Sequence, residues 1–114
     1  MPLLDAPADA LATVYARSLI DTAEKQGGRA LIEAVLGELE DVLELARSNA
    51  NFSEFLASRV LAPNVRDKSI RTIFAATVSP ITLNFLLLLN RKGRLAHLIP
   101  IVAALDAQVQ ARFG

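Results

Sequence analysis

The sequence predicts an all-α fold, a single domain built as a six-helix bundle. Apolar residues recur at helical spacing through most of the chain, and no segment alternates with period two for long enough to be a convincing strand. Turn residues divide the chain into segments of helical length. With 114 residues, of which 53% are apolar, the chain is long enough to bury one hydrophobic core.

The first two predicted helices are separated by a pair of glycines. Residues 1–8, which include two prolines, predict a flexible lead-in, and residues 9–114 the bundle. Asp9 is predicted to cap a first helix that ends near Gln26, before Gly27 and Gly28. The second is predicted over about residues 29–48. We expect its acidic face to be solvated, and this face comprises Glu33, Glu38, Glu40, Asp41 and Glu44.

Four shorter helices are predicted in the rest of the chain. The third covers about residues 52–60 and the fourth about residues 65–76. In the fourth, the residues expected to face inward are Val65, Ile70, Ile73 and Phe74, and those expected to face outward are Arg66, Asp67, Lys68 and Arg71. The fifth, about residues 80–92, is bounded by Ser79 as N-cap, Pro80 and Gly93. The sixth starts near Arg94 and ends near Phe113.

Composition argues against several classes of function. Twelve basic and twelve acidic residues cancel, and their dispersion argues against a nucleic-acid partner. There is no Cys, and the single histidine, His97, has no carboxylate at helical metal-pair spacing. No motif for phosphate binding or nucleophilic catalysis occurs. We therefore expect no catalytic residue, no cofactor and no metal. No apolar run approaches the ~20 residues of a membrane-spanning helix, so no direct membrane insertion is expected.

The fifth predicted helix has two apolar faces. At about 100° per residue, Leu83, Leu86 and Leu87 fall on one side and Ile81, Phe85 and Leu88 on the other. The first set is predicted to be core, and the second, with Asn84, to be offered to a partner. A wholly buried central helix is the alternative interpretation.

The first predicted helix carries a semi-polar strip beside an inward stripe of small residues. The strip is Leu11, Tyr15, Ser18 and Thr22, and the inward stripe, which is predicted to be core, is Ala12, Ala16, Leu19, Ile20 and Ala23. If this strip lay beside the fifth helix, the two would form an apolar groove of the kind that receives an amphipathic helix. A tyrosine at the edge of the core is the alternative interpretation of Tyr15.

Several segments together resemble one family over about residues 9–113. The segments are Tyr15-Ala16-Arg17-Ser18-Leu19, Leu39 to Leu45, Phe52-Ser53-Glu54-Phe55-Leu56, Val65-Arg66-Asp67-Lys68, Leu83-Asn84-Phe85-Leu86-Leu87-Leu88-Leu89 and Lys92-Gly93-Arg94-Leu95. In this order they resemble the N-terminal domain of the F-type ATP synthase delta subunit, the oligomycin-sensitivity-conferring protein family.

The resemblance implies a non-catalytic connector at the top of the peripheral stalk. In that family the groove between the first and fifth helices receives the N-terminal helix of an alpha subunit, and the catalytic head is held static during proton-coupled ATP synthesis. Matched groove positions are Tyr15, Ser18, Asn84 and Leu88, and the face geometry adds Leu11, Thr22, Ile81, Phe85 and Lys92.

The resemblance also implies a location and further partners. We expect a peripheral position at the cytoplasmic face of the bacterial inner membrane. Contact with b-type stalk subunits is expected through the family's C-terminal domain, which we expect to be absent from this chain. Two other functions stay open, a helical RNA-binding or transcription adaptor and a self-associating structural bundle.

Overall fold

All regular structure in the described residues is helical. The computed structural model describes residues 10–58 and 60–114, so the predicted lead-in of residues 1–8 and the predicted cap Asp9 lie outside them. The elements are α1 (Pro2–Ser48, described from residue 10 onward), α2 (Ala50–Ala57), α3 (Pro63–Phe74), α4 (Pro80–Arg91) and α5 (Leu98–Phe113), with a 3₁₀ turn at Leu95–His97. The all-α prediction is confirmed. The count of six is not, because this part of the chain contains five α-helices.

The difference in count arises at Gly28. The first two predicted helices run on as one element, α1, whose backbone leaves the helical region at Gly28 (φ 67°, ψ −154°). This combination of angles is essentially restricted to glycine, because a Cβ atom would clash with the backbone. Gly28 therefore divides α1 into a first arm, residues 10–27, and a second arm, residues 29–48.

The core lies between the two arms of α1 and the apolar sides of α4 and α5. The predicted small residues of the first arm are buried, with Ala12, Ala16 and Ala23 at most 1% exposed, and they permit close helix packing. α1 packs chiefly on α5, and also on α2 and α4, while α3 packs on α4. In α4, Leu86, Leu87 and Leu89 are at most 1% exposed, so one side of this helix is fully buried.

The predicted orientation of α3 is partly wrong. Ile70 and Phe74 are buried, but Val65 and Ile73 are 47% and 40% exposed, and Arg66 is only 5% exposed. Arg66 replaces the apolar residues on the inner face because its guanidinium has acceptors there. Its Nη1 and Nη2 donate to the carbonyls of Ser58 and Leu56, at 2.8 and 3.2 Å, and its Nε donates to Asn90 Oδ1 at 2.9 Å.

The acidic face of the second arm is solvated except at one residue. Glu33, Glu40, Asp41 and Glu44 are exposed, as predicted, whereas Glu38 is half-buried. Its carboxylate accepts hydrogen bonds from Ser79 and Thr82 at the start of α4, so the prediction for Glu38 is wrong. Ser79 occupies the predicted N-cap position, but its side chain makes no capping hydrogen bond within α4.

Candidate binding site for a partner helix

The first arm of α1 and one side of α4 enclose an open apolar cavity, which we call the α1–α4 cavity. Its volume is about 360 Å³, within the usual size of a binding pocket. The first arm contributes Val14, Tyr15, Ser18, Leu19, Thr22 and Gln26, and α4 contributes Pro80, Ile81, Asn84, Phe85 and Leu88. The two helices run antiparallel here, since Tyr15, near the start of the first arm, contacts Phe85 and also Arg94, which lies beyond the end of α4.

The lining residues divide into a buried floor and an open rim. Leu19, Ile81 and Phe85 are 5–8% exposed and form the floor. Leu88 is 39% exposed and Val14 is 64% exposed, and both stand on the rim. An exposed leucine beside a buried aromatic floor leaves apolar surface that a partner can cover.

Tyr15 is fixed in place by two neighbours. Its ring meets Phe85 edge-on, with 6.2 Å between ring centroids. Its hydroxyl accepts a hydrogen bond from Arg94 Nη1 at 2.8 Å. The ring is therefore held against α4, as suits an aromatic residue with an apolar body and a polar tip at a binding surface.

The cavity is lined by neutral side chains. None of the described lining residues is Asp, Glu, Lys or Arg. The hydroxyl of Thr22 donates to the carbonyl of Ser18 at 2.9 Å, so it is satisfied within its own helix. The site can therefore contribute apolar contact and a few polar contacts from Ser18, Gln26 and Asn84, and it offers little charge for steering a ligand.

The structure brings seven of the nine predicted site residues together around this cavity, namely Tyr15, Ser18, Thr22, Ile81, Asn84, Phe85 and Leu88. Leu11 and Lys92 do not line it. Leu11 lies one turn before Tyr15, beyond the end of the cavity. Lys92 is the C-cap of α4 (φ −88°, ψ 1°), so the helical geometry that placed it on the same face has ended there.

Four lining residues were missed by the sequence interpretation: Val14, Leu19, Gln26 and Pro80. Two of them continue the helical spacing of predicted residues. Gln26 follows Thr22 by four residues, and Pro80 precedes Asn84 by four. Leu19 had been assigned to the core alone, and its 5% exposure places it at the boundary of the core and the floor. For Val14 we see no sequence signal.

Other kinds of site find no support in the described part of the chain. No group of three or more His, Asp and Glu side chains there could hold a metal ion. Among the same residues, no helix is long and apolar enough to cross a membrane.

Comparison with known proteins gives the family. The family model described as "ATP synthase delta (OSCP) subunit" matches residues 11–114. The chain belongs to this family. Delta subunits are structural, non-catalytic components of the peripheral stalk, in agreement with the expectation that the chain is not an enzyme.

Individual relatives carry the same description. The chain is 30% identical to an ATP synthase subunit delta of Symbiobacterium thermophilum over 89 residues, which is 78% of this chain and 46% of the relative. It is also 30% identical to one of Prochlorococcus marinus over 105 residues, 92% of this chain and 54% of the relative. The chain thus spans about half the length of the curated relatives it matches. No solved structure matches it significantly.

Proposed function

We propose that this delta-family chain is a non-catalytic connector of the F-type ATP synthase that binds the N-terminal helix of an alpha subunit in the α1–α4 cavity. By this contact it holds the catalytic head static during proton-coupled ATP synthesis, as a peripheral component at the cytoplasmic face of the bacterial inner membrane. The observation that carries the proposal is the apolar cavity between two antiparallel helices, with the exposed Leu88 on its rim.

The shape of the cavity suits a helix as guest. Its α4 wall extends from Pro80 to Leu88, about 12 Å at 1.5 Å per residue. That length accommodates roughly two turns of a guest helix, enough for anchors at i, i+3, i+4 and i+7. The neutral lining selects the apolar face of an amphipathic helix over an acidic or basic peptide.

The remaining stalk contact is proposed for another part of the family protein. Only about half the length of the relatives is matched here. We assign contact with b-type stalk subunits to the C-terminal domain of the family. On this proposal, the chain described here makes the contact with the catalytic head.

Titration with a peptide tests the proposal directly. The probe is a synthetic peptide of about 20 residues, roughly 30 Å as a helix, from the N-terminus of the alpha subunit encoded in the same genome. We expect one peptide to bind per chain, with modest affinity because ordering the free peptide costs several kcal/mol. Isothermal calorimetry measures the affinity, and a peptide with the same composition in scrambled order is the control.

Sedimentation across a range of concentrations separates this proposal from self-association. We expect a monomer that sediments as a one-to-one complex once the peptide is added. A stable dimer that the peptide neither joins nor dissociates would overturn the proposal, because the apolar rim would then be covered by a second copy.

A further inference from the structure

Glu38 links the second arm of α1 to the first turn of α4. Its Oε1 accepts hydrogen bonds from Ser79 Oγ at 2.8 Å and Thr82 Oγ1 at 2.5 Å. Its Oε2 accepts one from the backbone N–H of Ser79 at 3.0 Å. Three hydrogen bonds therefore join one carboxylate to residues more than forty positions further along the chain.

This carboxylate lies at the N-terminus of α4, where the N-cap residue makes no capping hydrogen bond of its own. A serine at the N-cap ordinarily accepts a hydrogen bond from the first turn of its own helix. The side chain of Ser79 makes no such bond, and its hydroxyl instead donates to Glu38. Negative charge at a helix N-terminus is favourable in itself. The position of the first turn of α4 thus depends on a residue of another element.

The first turn of α4 is also one wall of the α1–α4 cavity. Pro80 and Ile81 line the cavity, and the first arm contributes residues such as Thr22 and Gln26 to the same cavity. Glu38 does not line it, and it bonds the residues on either side of Pro80 and Ile81. Thr82, its second partner, is fully buried, so the contact is sheltered from water. We therefore expect a shift of this turn to change the width of the cavity.

We propose that Glu38 is a positioning residue for the α1–α4 cavity, which fixes the first turn of α4 and thereby sets the affinity for a guest helix. The proposal rests on the proposed function, and it adds a residue that touches no guest. It separates Glu38 from the exposed acidic residues of the same arm, which have no such contact with α4.

The test compares the affinity for the alpha-subunit peptide in four variants. Glu38→Ala removes all three hydrogen bonds, and we expect a loss of affinity of at least tenfold. Glu38→Gln keeps one acceptor oxygen and replaces the other with an NH2 group, which cannot accept a hydrogen bond, so an intermediate affinity is expected. Glu40→Ala is the matched control on the exposed face. Phe52→Leu, in α2 and away from the cavity, is expected to lower the melting temperature without changing the affinity.

The order of the affinities distinguishes a positioning role of Glu38 from a general effect on the stability of the fold. If Glu38→Ala lowers the melting temperature as Phe52→Leu does and binds the peptide like the wild-type chain, the proposal is overturned. The proposal is supported if the affinity falls in the order wild type, Glu38→Gln, Glu38→Ala, under conditions in which every variant is folded.

Hydrogen exchange gives a second measurement that needs no peptide. The Leu83 N–H donates to the Ser79 carbonyl at 3.0 Å and closes the first turn of α4, while the Lys92 N–H donates to Leu88 at its far end. We expect Glu38→Ala to speed exchange at Leu83 at least tenfold and to leave Lys92 unchanged. Equal exchange at Leu83 in both proteins would overturn the positioning role. If the wild-type chain did not bind the peptide, the proposed function would fail, and Leu83 exchange would still decide whether Glu38 positions this wall.

Discussion

Adjacent leucines of α4 occupy opposite environments. Leu86, Leu87 and Leu89 are at most 1% exposed, whereas Leu88 is 39% exposed. The sequence prediction that Leu86 and Leu87 belong to the core is confirmed, and Leu83, predicted with them, is half-buried. Periodicity separated Leu86 and Leu87 from Leu88, but Ile81 and Phe85, predicted on the offered face with Leu88, are only 8% and 7% exposed. The role of Leu88 in binding stays a prediction.

Leu88→Asp is expected to abolish binding of the alpha-subunit peptide and leave the chain folded. A carboxylate on the rim would be desolvated by the guest without a partner, and we expect an affinity loss of about a hundredfold or more, roughly 2.7 kcal/mol. The free energy of unfolding should change by less than about 0.5 kcal/mol, since the site is on the surface. Calorimetry and chemical denaturation measure the two quantities.

Two control variants bracket this result. Ile99→Asp changes a residue that is 68% exposed on another face, and it should affect neither binding nor stability. Leu86→Ala should lower the free energy of unfolding by about 2–5 kcal/mol, as expected for a fully buried leucine. Unfolding of Leu88→Asp to a similar extent would show that Leu88 is a core residue.

Among the elements, α1 changes direction at a single glycine. The sequence predicted a stop at Gly27 and Gly28, and the structure places the change of direction at Gly28 alone. The glycine pair revealed the site of the break. Whether the chain forms a loop or a sharp kink there depends on how the two arms pack, and a local pattern does not contain that information.

Substituting glycines in α1 tests the kink. Gly28→Ala should lower the free energy of unfolding by about 1–3 kcal/mol, because alanine is strained at this combination of φ and ψ. Gly37→Ala is the matched control, since a Cβ there meets nothing within 4 Å, and within a helix it should stabilise by roughly 0.5–1 kcal/mol. Chemical denaturation measures both. A neutral Gly28→Ala would contradict the role given to the kink.

α3 is held through Arg66. Its guanidinium lies 4.8 Å from the centroid of the Phe55 ring. Asn90, which accepts from Arg66, donates in turn to the Pro63 carbonyl at 2.9 Å and to Asp67 Oδ1 at 2.8 Å. This network joins α2, α3 and α4. Burial lowers the pKa of the Arg66 guanidinium from its ordinary value, although an arginine stays charged at neutral pH.

Arg66→Ala is expected to lower the free energy of unfolding by about 2–4 kcal/mol, because two carbonyls and the Asn90 amide oxygen lose their donor. Arg66→Lys should recover only part of this loss, since an ammonium cannot present the same fork of donors. Lys68→Ala, exposed on the same helix, is the control. Thermal and urea unfolding report the differences. Equal stability of the alanine and wild-type chains would show that the network is dispensable.

For the whole molecule, the sequence predicted what depends on local spacing and missed what depends on distant partners. The all-α class follows from periodicity. The residues grouped in the cavity follow from helical faces together with the family resemblance, which supplied the pairing of the two helices. Glu38 and Arg66 were both predicted to be solvated, since charged residues usually are. The groups that donate to Glu38 and the groups that accept from Arg66 lie outside the helices that carry these two residues. Only the folded structure brings them together.

The neutral lining of the α1–α4 cavity predicts that peptide binding depends only weakly on salt. Between about 50 and 500 mM salt, the affinity for the alpha-subunit peptide should change by less than about threefold, because screening acts on charges and no ionised side chain lines the described cavity. Titration at several salt concentrations measures the slope, and the scrambled peptide reports non-specific attraction. A steep loss of affinity at high salt would show that binding depends on the dispersed surface charges and would contradict this prediction. Such a salt dependence is typical of nucleic-acid-binding proteins.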